Sequence, residues 1–368
     1  MEVLNASFFL NPIFKNLVMK SLLGNWCLFF VVISIFACSD DDGGVSGVDY
    51  SVPEDACYVL NSGDWKSNNS SLTMFDIKSG VVVQNFFEKQ NGRMLGNIAN
   101  DIIIYGSKMY IAVAGEGTVE VTDLNAKSIK QVVCGAEPRY MVAHEGNVYI
   151  SYYDGYVARL DTVTLAVDAK VAVGRNPERL DVLDGMLYVA NSGGMDYDTD
   201  RGYDNTVSLV DLSSFKELRK IEVVINPATV ITAEGGVFVV SYGDYVQVPG
   251  VLQFIDGNGV VSTVEKCSNM TEVCCKSGVL YGYFSQYDAD WNATIAYLSY
   301  DIAKDVTDVP WIKEAYLPVP YKVCVAADYI CVTSSDYIND GDVYLYDADG
   351  MLVVKIPTGL NPVKVVSL

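Results

Sequence analysis

The chain has 368 residues, half of them apolar, with 46 acidic against 25 basic side chains and a formal net charge of −21. That balance argues against nucleic acid or an anionic membrane face as partner, because phosphate binding needs clustered Lys and Arg. A single histidine, His144, leaves serine or cysteine triads, haem ligation and zinc sites without their usual imidazole.

Residues 1–37 read as a leader. The apolar run from Leu28 to Phe36, interrupted only by Ser34, is too short to span a bilayer. It ends at Ile35-Phe36-Ala37-Cys38, which resembles a lipobox, so Cys38 is the expected lipidation site. Met19-Lys20 would start a leader of ordinary length. Residues 38–55, opening on Ser39-Asp40-Asp41-Asp42 and polar to Glu54, form an expected acidic tether, and the N-terminal lipid is the only expected membrane contact.

From residue 56 to 368 a unit recurs seven times. Its first anchor, an aromatic or large apolar residue in a short apolar run, falls at Tyr58, Tyr110, Tyr149, Tyr188, Phe238, Tyr281 and Ile330. Its second, the Asp ending an alternating strand, falls at Asp76, Asp123, Asp161, Asp211, Asp256, Asp301 and Asp347. A period-two alternation on this spacing predicts an all-β, seven-bladed β-propeller of four-stranded blades, a single domain. Each unit is led by a short strand, as at Pro177 or Pro227, but none precedes Cys57. Asn361-Pro362 to Leu368 is a lead-in strand with no unit after it, and is expected to pair beside residues 57–61 and close the ring.

Alternating strands sort the connections onto two faces. First-to-second turns such as His144-Glu145-Gly146-Asn147 and third-to-fourth turns such as Asp211 to Lys216 are compact, which makes that face structural. The second-to-third connections, among them Asn191 to Thr206, Tyr242 to Gly250, Phe284 to Thr294 and Ser334 to Asp342, are longer and irregular. They place Trp65, Tyr152, Tyr153, Tyr156, Tyr197, Tyr203, Tyr242, Tyr245, Tyr287, Trp291 and Tyr337 on one rim. Aromatics gathered with Asp and Asn suit a broad ligand, partly polar and partly apolar. The lead-in turns bring Arg139, Tyr140, Arg175, Arg179, Tyr321 and Lys322 toward the axis of the same face, as ligand donors or as salt-bridge partners of loop aspartates.

No catalytic constellation, cofactor motif or metal motif emerges. Asp196 to Gly202 resembles the opening of a calcium loop, but its glycine is one place late and Val207 stands where Glu is required, so a solvated acidic loop is expected. Seven cysteines follow Cys38, without a Cys-x-x-Cys, and suit packing better than bridging. A two-residue turn at Ala327-Asp328 would put Cys324 and Cys331 opposite one another; they are expected reduced.

Tyr188-Val189-Ala190-Asn191-Ser192, Thr206 to Asp211 and the Asn-Pro lead-ins resemble the YncE-like seven-bladed propellers over nearly all of residues 56–368, most clearly 138–256 and least in the sixth unit, where Asn269-Met270 replaces Asn-Pro. Within that group, the lipobox, the acidic residues after the cysteine and the aromatic loops resemble BtuG-type surface lipoproteins of Bacteroides-type bacteria. The resemblance implies lipid anchoring at the outer membrane, exposure at the cell surface, and capture of cobalamin or another corrinoid for a TonB-dependent transporter. It carries over no individual contact residue. A carbohydrate-binding lipoprotein stacking sugars on Trp65 and Trp291, or a propeller-type lyase or dehydrogenase, are the alternatives.

Overall fold

A computed structural model describes residues 52–267, 270–287, 293–314 and 318–368. The leader, Cys38, Trp291 and most of the acidic tether lie outside the described residues.

Every unit becomes one four-stranded antiparallel blade. The first is built from β1 (Cys57–Asn61), β2 (Ser71–Phe75) and a two-residue β3 (Val82–Val83), followed by the helix α1 (Phe86–Asn91). The second holds β4 (Ala99–Tyr105), β5 (Lys108–Val113), β6 (Thr118–Asp123) and β7 (Ser128–Val133). The third holds β8 (Pro138–His144), β9 (Asn147–Tyr152), β10 (Tyr156–Asp161) and β11 (Ala166–Ala172). The fourth holds β12 (Pro177–Leu183), β13 (Met186–Asn191), β14 (Thr206–Asp211) and β15 (Lys216–Glu222). The fifth holds β16 (Pro227–Ala233), β17 (Gly236–Ser241), β18 (Val251–Asp256) and β19 (Val261–Thr263). The sixth holds β20 (Met270–Lys276), β21 (Val279–Tyr287), β22 (Ala293–Asp301) and β23 (Val306–Asp308). The seventh holds β24 (Pro320–Ala326), β25 (Tyr329–Ser334), β26 (Asp340–Tyr346) and β27 (Leu352–Leu360). The chain ends in β28 (Pro362–Ser367), which pairs with β1 from Cys57↔Ser367 to Asn61↔Pro362 and becomes the innermost strand of the first blade. The seam is closed as expected.

The repeated residues have physical reasons. The second-anchor aspartates each end a third strand and accept hydrogen bonds from the turn that follows. Asp161 takes the Thr164 N–H at 2.6 Å, Asp123 the Lys127 N–H at 2.8 Å, Asp256 the Val260 N–H at 2.8 Å and Asp347 the Met351 N–H at 2.9 Å. Side chain and turn thus close each outer hairpin. Those bonds hold the carboxyls of Asp76, Asp161, Asp211, Asp256 and Asp301 below their ordinary value. The asparagine of Tyr188 to Ser192 staples its blade: Asn191 donates to Thr206 and Ser208 at 3.0 and 2.9 Å and accepts the Gly174 N–H at 3.0 Å. Asn61 repeats the arrangement with Ser71 and Thr73, both at 3.1 Å.

First-anchor residues pack between blades, and six described apolar clusters fill the interfaces of neighbouring sheets. Cys324 and Cys331 are directly paired across β24 and β25, as the turn at 327–328 requires.

Three expectations needed correction. Tyr152 is not a loop residue: β9 runs one residue further than its alternation suggests, and the side chain is fully buried against Val119, Met141 and Cys134. The connection from Phe284 to Thr294 is mostly strand, since β21 extends to Tyr287 and β22 begins at Ala293. Tyr287 therefore sits at a strand end, and its side chain lies outside the described residues. The helix α1 was not anticipated; it buries Phe86 and Phe87 where β3 is only two residues long, with the Phe86 ring 5.8 Å from that of Tyr58.

Candidate functional site on the loop face

The innermost strands contact one another around the ring. In all seven the pairing with the next strand skips a residue just after the lead-in. Such a bulge re-aims the side chains beside it. The third residue of these strands, in order around the ring, is Lys364, Asp101, Tyr140, Arg179, Thr229, Glu272 and Lys322. The second residues add Arg139, Glu178 and Tyr321.

These side chains meet across blades. Arg139 donates to Glu178 at 2.9 Å, with its guanidinium 4.2 Å above the Tyr153 ring, and the Tyr153 hydroxyl donates to the other oxygen of Glu178 at 3.0 Å. Glu272, all but fully buried, is held between two cations: Arg179 lies 3.2 Å from Oε2, and the Lys322 ammonium donates to Oε1. The Tyr242 hydroxyl donates to the same Oε1 at 3.3 Å. Lys364 bonds Asp101 at 2.7 Å, and the second oxygen of Asp101 accepts the Met141 N–H at 2.8 Å.

The electrostatics follow from that pairing. Burial alone would raise the Glu272 carboxyl, but Arg179 and Lys322 outweigh it and hold the group below its ordinary value. Burial would lower Lys322, but Glu272 pushes it up to about 12. Burial drives the phenols of Tyr153, Tyr242 and Tyr283 well above their ordinary value, so they act as neutral donors.

Outward from the axis, a cleft of about 350 Å³ opens between the third and fourth blades, with Tyr153, Tyr156, Arg175, Asn176 and Arg201 in its wall. Arg175 is fixed by Asp196 at 2.6 Å and the Gly202 carbonyl at 2.9 Å, and its own N–H reaches Asp204 at 3.1 Å. Asp196 also takes Arg201. The carboxylate that headed the calcium-like motif is thus committed to two guanidiniums, and Arg175 follows the salt-bridge reading.

The rim aromatics sort by blade. Tyr197 and Tyr203 stack with ring centroids 6.4 Å apart, Tyr242 lies 6.2 Å from Tyr245, and Tyr321 meets Tyr337 edge-on at 5.4 Å. Trp65 is 37% exposed and Tyr245 46%. Of the twelve residues expected to touch ligand, the structure gathers Tyr153 with Arg139 at the axis, and places Arg175 in the cleft that Tyr153 also lines. Tyr197 and Tyr203 stand on the loop that supplies Arg201, and Tyr242 and Tyr245 on the next blade. Trp65 and Tyr337 lie on the rim of the first and seventh blades, and Tyr152 belongs to the core. His144 ends β8 at the hairpin face, as expected.

Sequence reasoning missed Glu178 and Glu272, the two carboxylates that organise the axis. The signal was available: both stand within two residues of a lead-in, where other units carry Arg139, Arg179 or Lys322.

No protein-family model matches the sequence, nor does any curated protein. Among solved structures, Kuenenia stuttgartiensis hydrazine synthase superposes with a TM-score of 0.58 at 16% identity, over 70% of this chain and 85% of that one. The computationally designed Ika8 protein gives 0.55 at 12% identity, over 83% and 89%. The WD40 domain of Neurospora crassa Pan2 gives 0.51 at 8%, over 73% and 80%. At such identities the likeness is one of fold, and it agrees with the strand order in making this chain a seven-bladed β-propeller.

Proposed function

We propose that the loop face captures cobalamin or a related corrinoid, and that the chain is a lipoprotein anchored through Cys38 at the outer membrane, working with a TonB-dependent transporter as BtuG-type proteins do. The observation that carries the reading is the asymmetry of the two faces. One carries compact hairpins, while the other carries a cleft walled by Tyr153, Tyr156, Arg175 and Arg201 and the paired rings of Tyr197 with Tyr203 and Tyr242 with Tyr245. A corrinoid is broad, fringed with amides and carries one phosphate, so it needs a wide aromatic platform with donors rather than a deep slot.

The reading is of a binding protein and not an enzyme. Glu178 and Glu272 are each bonded to a cation and a tyrosine, and Glu272 is held ionised, whereas a general acid needs a raised carboxyl. The exposed Trp65 favours the carbohydrate alternative, since an indole on a rim is the usual sugar platform.

Titration with cyanocobalamin tests the proposal. Saturable binding that weakens on Trp65→Ala, Tyr153→Ala, Tyr203→Ala or Trp291→Ala, and not on His144→Ala, is the expected result. No binding at micromolar concentration refutes corrinoid capture, and binding of oligosaccharides in its place establishes the alternative.

A further inference from the structure

The axial cluster holds Arg139, Arg179, Lys322 and Lys364 against Glu178, Glu272 and Asp101, one positive charge in excess, within a chain whose net charge is −21. Its donors are mostly unspent. A guanidinium carries five N–H groups. Arg179 is 78% withdrawn from solvent along its side chain, yet it makes no hydrogen bond among the described residues; its one carboxylate contact is the 3.2 Å approach to Glu272. The Glu272 oxygen it approaches is buried and accepts no hydrogen bond either. Arg139 uses a single nitrogen on Glu178 and leaves a buried Nε unpartnered. Lys322 has three donors and spends one, on Glu272.

Shape agrees with charge. Five of the seven innermost strands put at least one long side chain at the two positions after the lead-in. The exceptions are β4, with Asn100 and Asp101, and β16, with Ala228 and Thr229, and Arg179 crosses the gap at β16 to reach Glu272 two blades away. Around these cations stand Tyr140, which both Arg139 and Arg179 overlie, at 5.6 and 5.3 Å, and Tyr321, beneath Lys322 at 5.9 Å. Neither phenol makes a hydrogen bond through its hydroxyl among the described residues. A complete structural network would have satisfied the buried Arg139 nitrogen and the Glu272 oxygen.

We infer that the loop-face end of the axis is an oxyanion site, taking one phosphate group through Arg179, Lys322 and Arg139. The site rests on the reading of the loop face as the ligand face. Glu272 is the internal stand-in: its carboxylate occupies the two cations that a phosphate would recruit, and the forked guanidinium suits the bidentate geometry of a phosphate. The group could be free phosphate or the phosphodiester of a bound corrinoid; the chemistry of the site is the same.

Calorimetric titration of the whole chain with inorganic phosphate tests this without any corrinoid. Saturable binding is expected, at least about tenfold weaker in Arg179→Gln and in Lys322→Gln, the loss that a charged hydrogen bond represents. Glu272→Gln removes the competitor and is expected to bind phosphate more tightly, a gain that a purely structural role of the cluster would not give. Lys220→Gln, on an outermost strand, serves as the control and leaves binding unchanged. Absence of phosphate binding in both the native chain and Glu272→Gln overturns the site, as does binding that Arg179→Gln leaves intact. Displacement of phosphate by cyanocobalamin, but not by cobinamide, which lacks the phosphodiester, assigns the site to the ligand's own phosphate. Phosphate bound independently of cyanocobalamin assigns it to the free ion. Phosphate binding without cyanocobalamin binding supports the site while refuting corrinoid capture.

Discussion

Tyr152 and Tyr153 are neighbours in sequence with opposite duties, and exchanging each for alanine separates packing from recognition. The Tyr152 ring is fully buried in the cluster between the second and third blades, beside Cys134 and 4.8 Å beneath the Lys170 ammonium. A buried aromatic withdraws roughly 150–250 Å² from water, about 4–6 kcal/mol at ~25 cal/mol per Å². Measured aromatic-to-alanine losses in cores run about 3–5 kcal/mol, so about 4 kcal/mol is the expected cost of Tyr152→Ala. In a ring of this size each kcal/mol lowers the melting point by about 2 °C, a fall of roughly 8 °C. Tyr153 is half-buried at the axis and gives up a stack on Arg139 and one hydrogen bond to Glu178, at most about 2 kcal/mol. Thermal melts by circular dichroism, run beside ligand titrations, should show Tyr152→Ala destabilised with its affinity kept, and Tyr153→Ala nearly as stable with its affinity lost. A Tyr152→Ala protein that melts within 2 °C of the parent refutes the assignment of this residue to the core.

Glu272 makes the fold acid-sensitive. Its folded pKa lies below the ordinary value of 4.5, so its stabilising contribution is complete above that pH and disappears as pH falls through the folded value. At pH 7, Glu272→Gln should melt lower by the equivalent of about 3 kcal/mol, since it leaves two buried cations unpaired, and the gap should narrow steadily below pH 4.5. A gap independent of pH would show that the pairing contributes nothing. Gly236→Ala places a methyl 2.2 Å from the Ile255 carbonyl oxygen and against the Phe254 ring, and should cost about 1–3 kcal/mol in urea unfolding; an unchanged midpoint would contradict the close approach of β17 and β18. Deleting residues 361–368 strips β1 of its inner partner and removes the Asn361 bond to the Gly63 carbonyl at 2.9 Å. Size-exclusion chromatography should then show association through the bared edge, and a monodisperse truncated chain would contradict the closing role of β28.

The ring was legible because its signals are local. An aspartate that caps its own turn and an apolar pair that alternates with period two are properties of a few consecutive residues, repeated until chance is excluded. Tyr152 was not legible because a strand end and a loop start share composition: Tyr152-Tyr153 offers no break, and the pairing with Tyr156 alone decides which ring goes inward. The helix carrying Phe86 and Phe87 is one and a half turns long, below what periodicity can register, and exists because a two-residue outer strand leaves the first interface to be filled. At the axis, the partners of Glu178 and Glu272 stand between 25 and 93 residues away along the chain, one or two blades around. Their meeting is set by the closure of the ring, which no window of sequence contains.

Because the first blade takes its innermost strand from residues 362–367, it cannot be completed until the seventh blade has been made. Blades two to seven can assemble from adjacent segments, whereas the bond between Asn361 and Gly63 joins positions 298 apart, a loop-closure cost that no other blade carries. Until β28 docks, β1 presents bare amides to any passing edge, and a chaperone or protease that senses incompletely folded chains would find its target there.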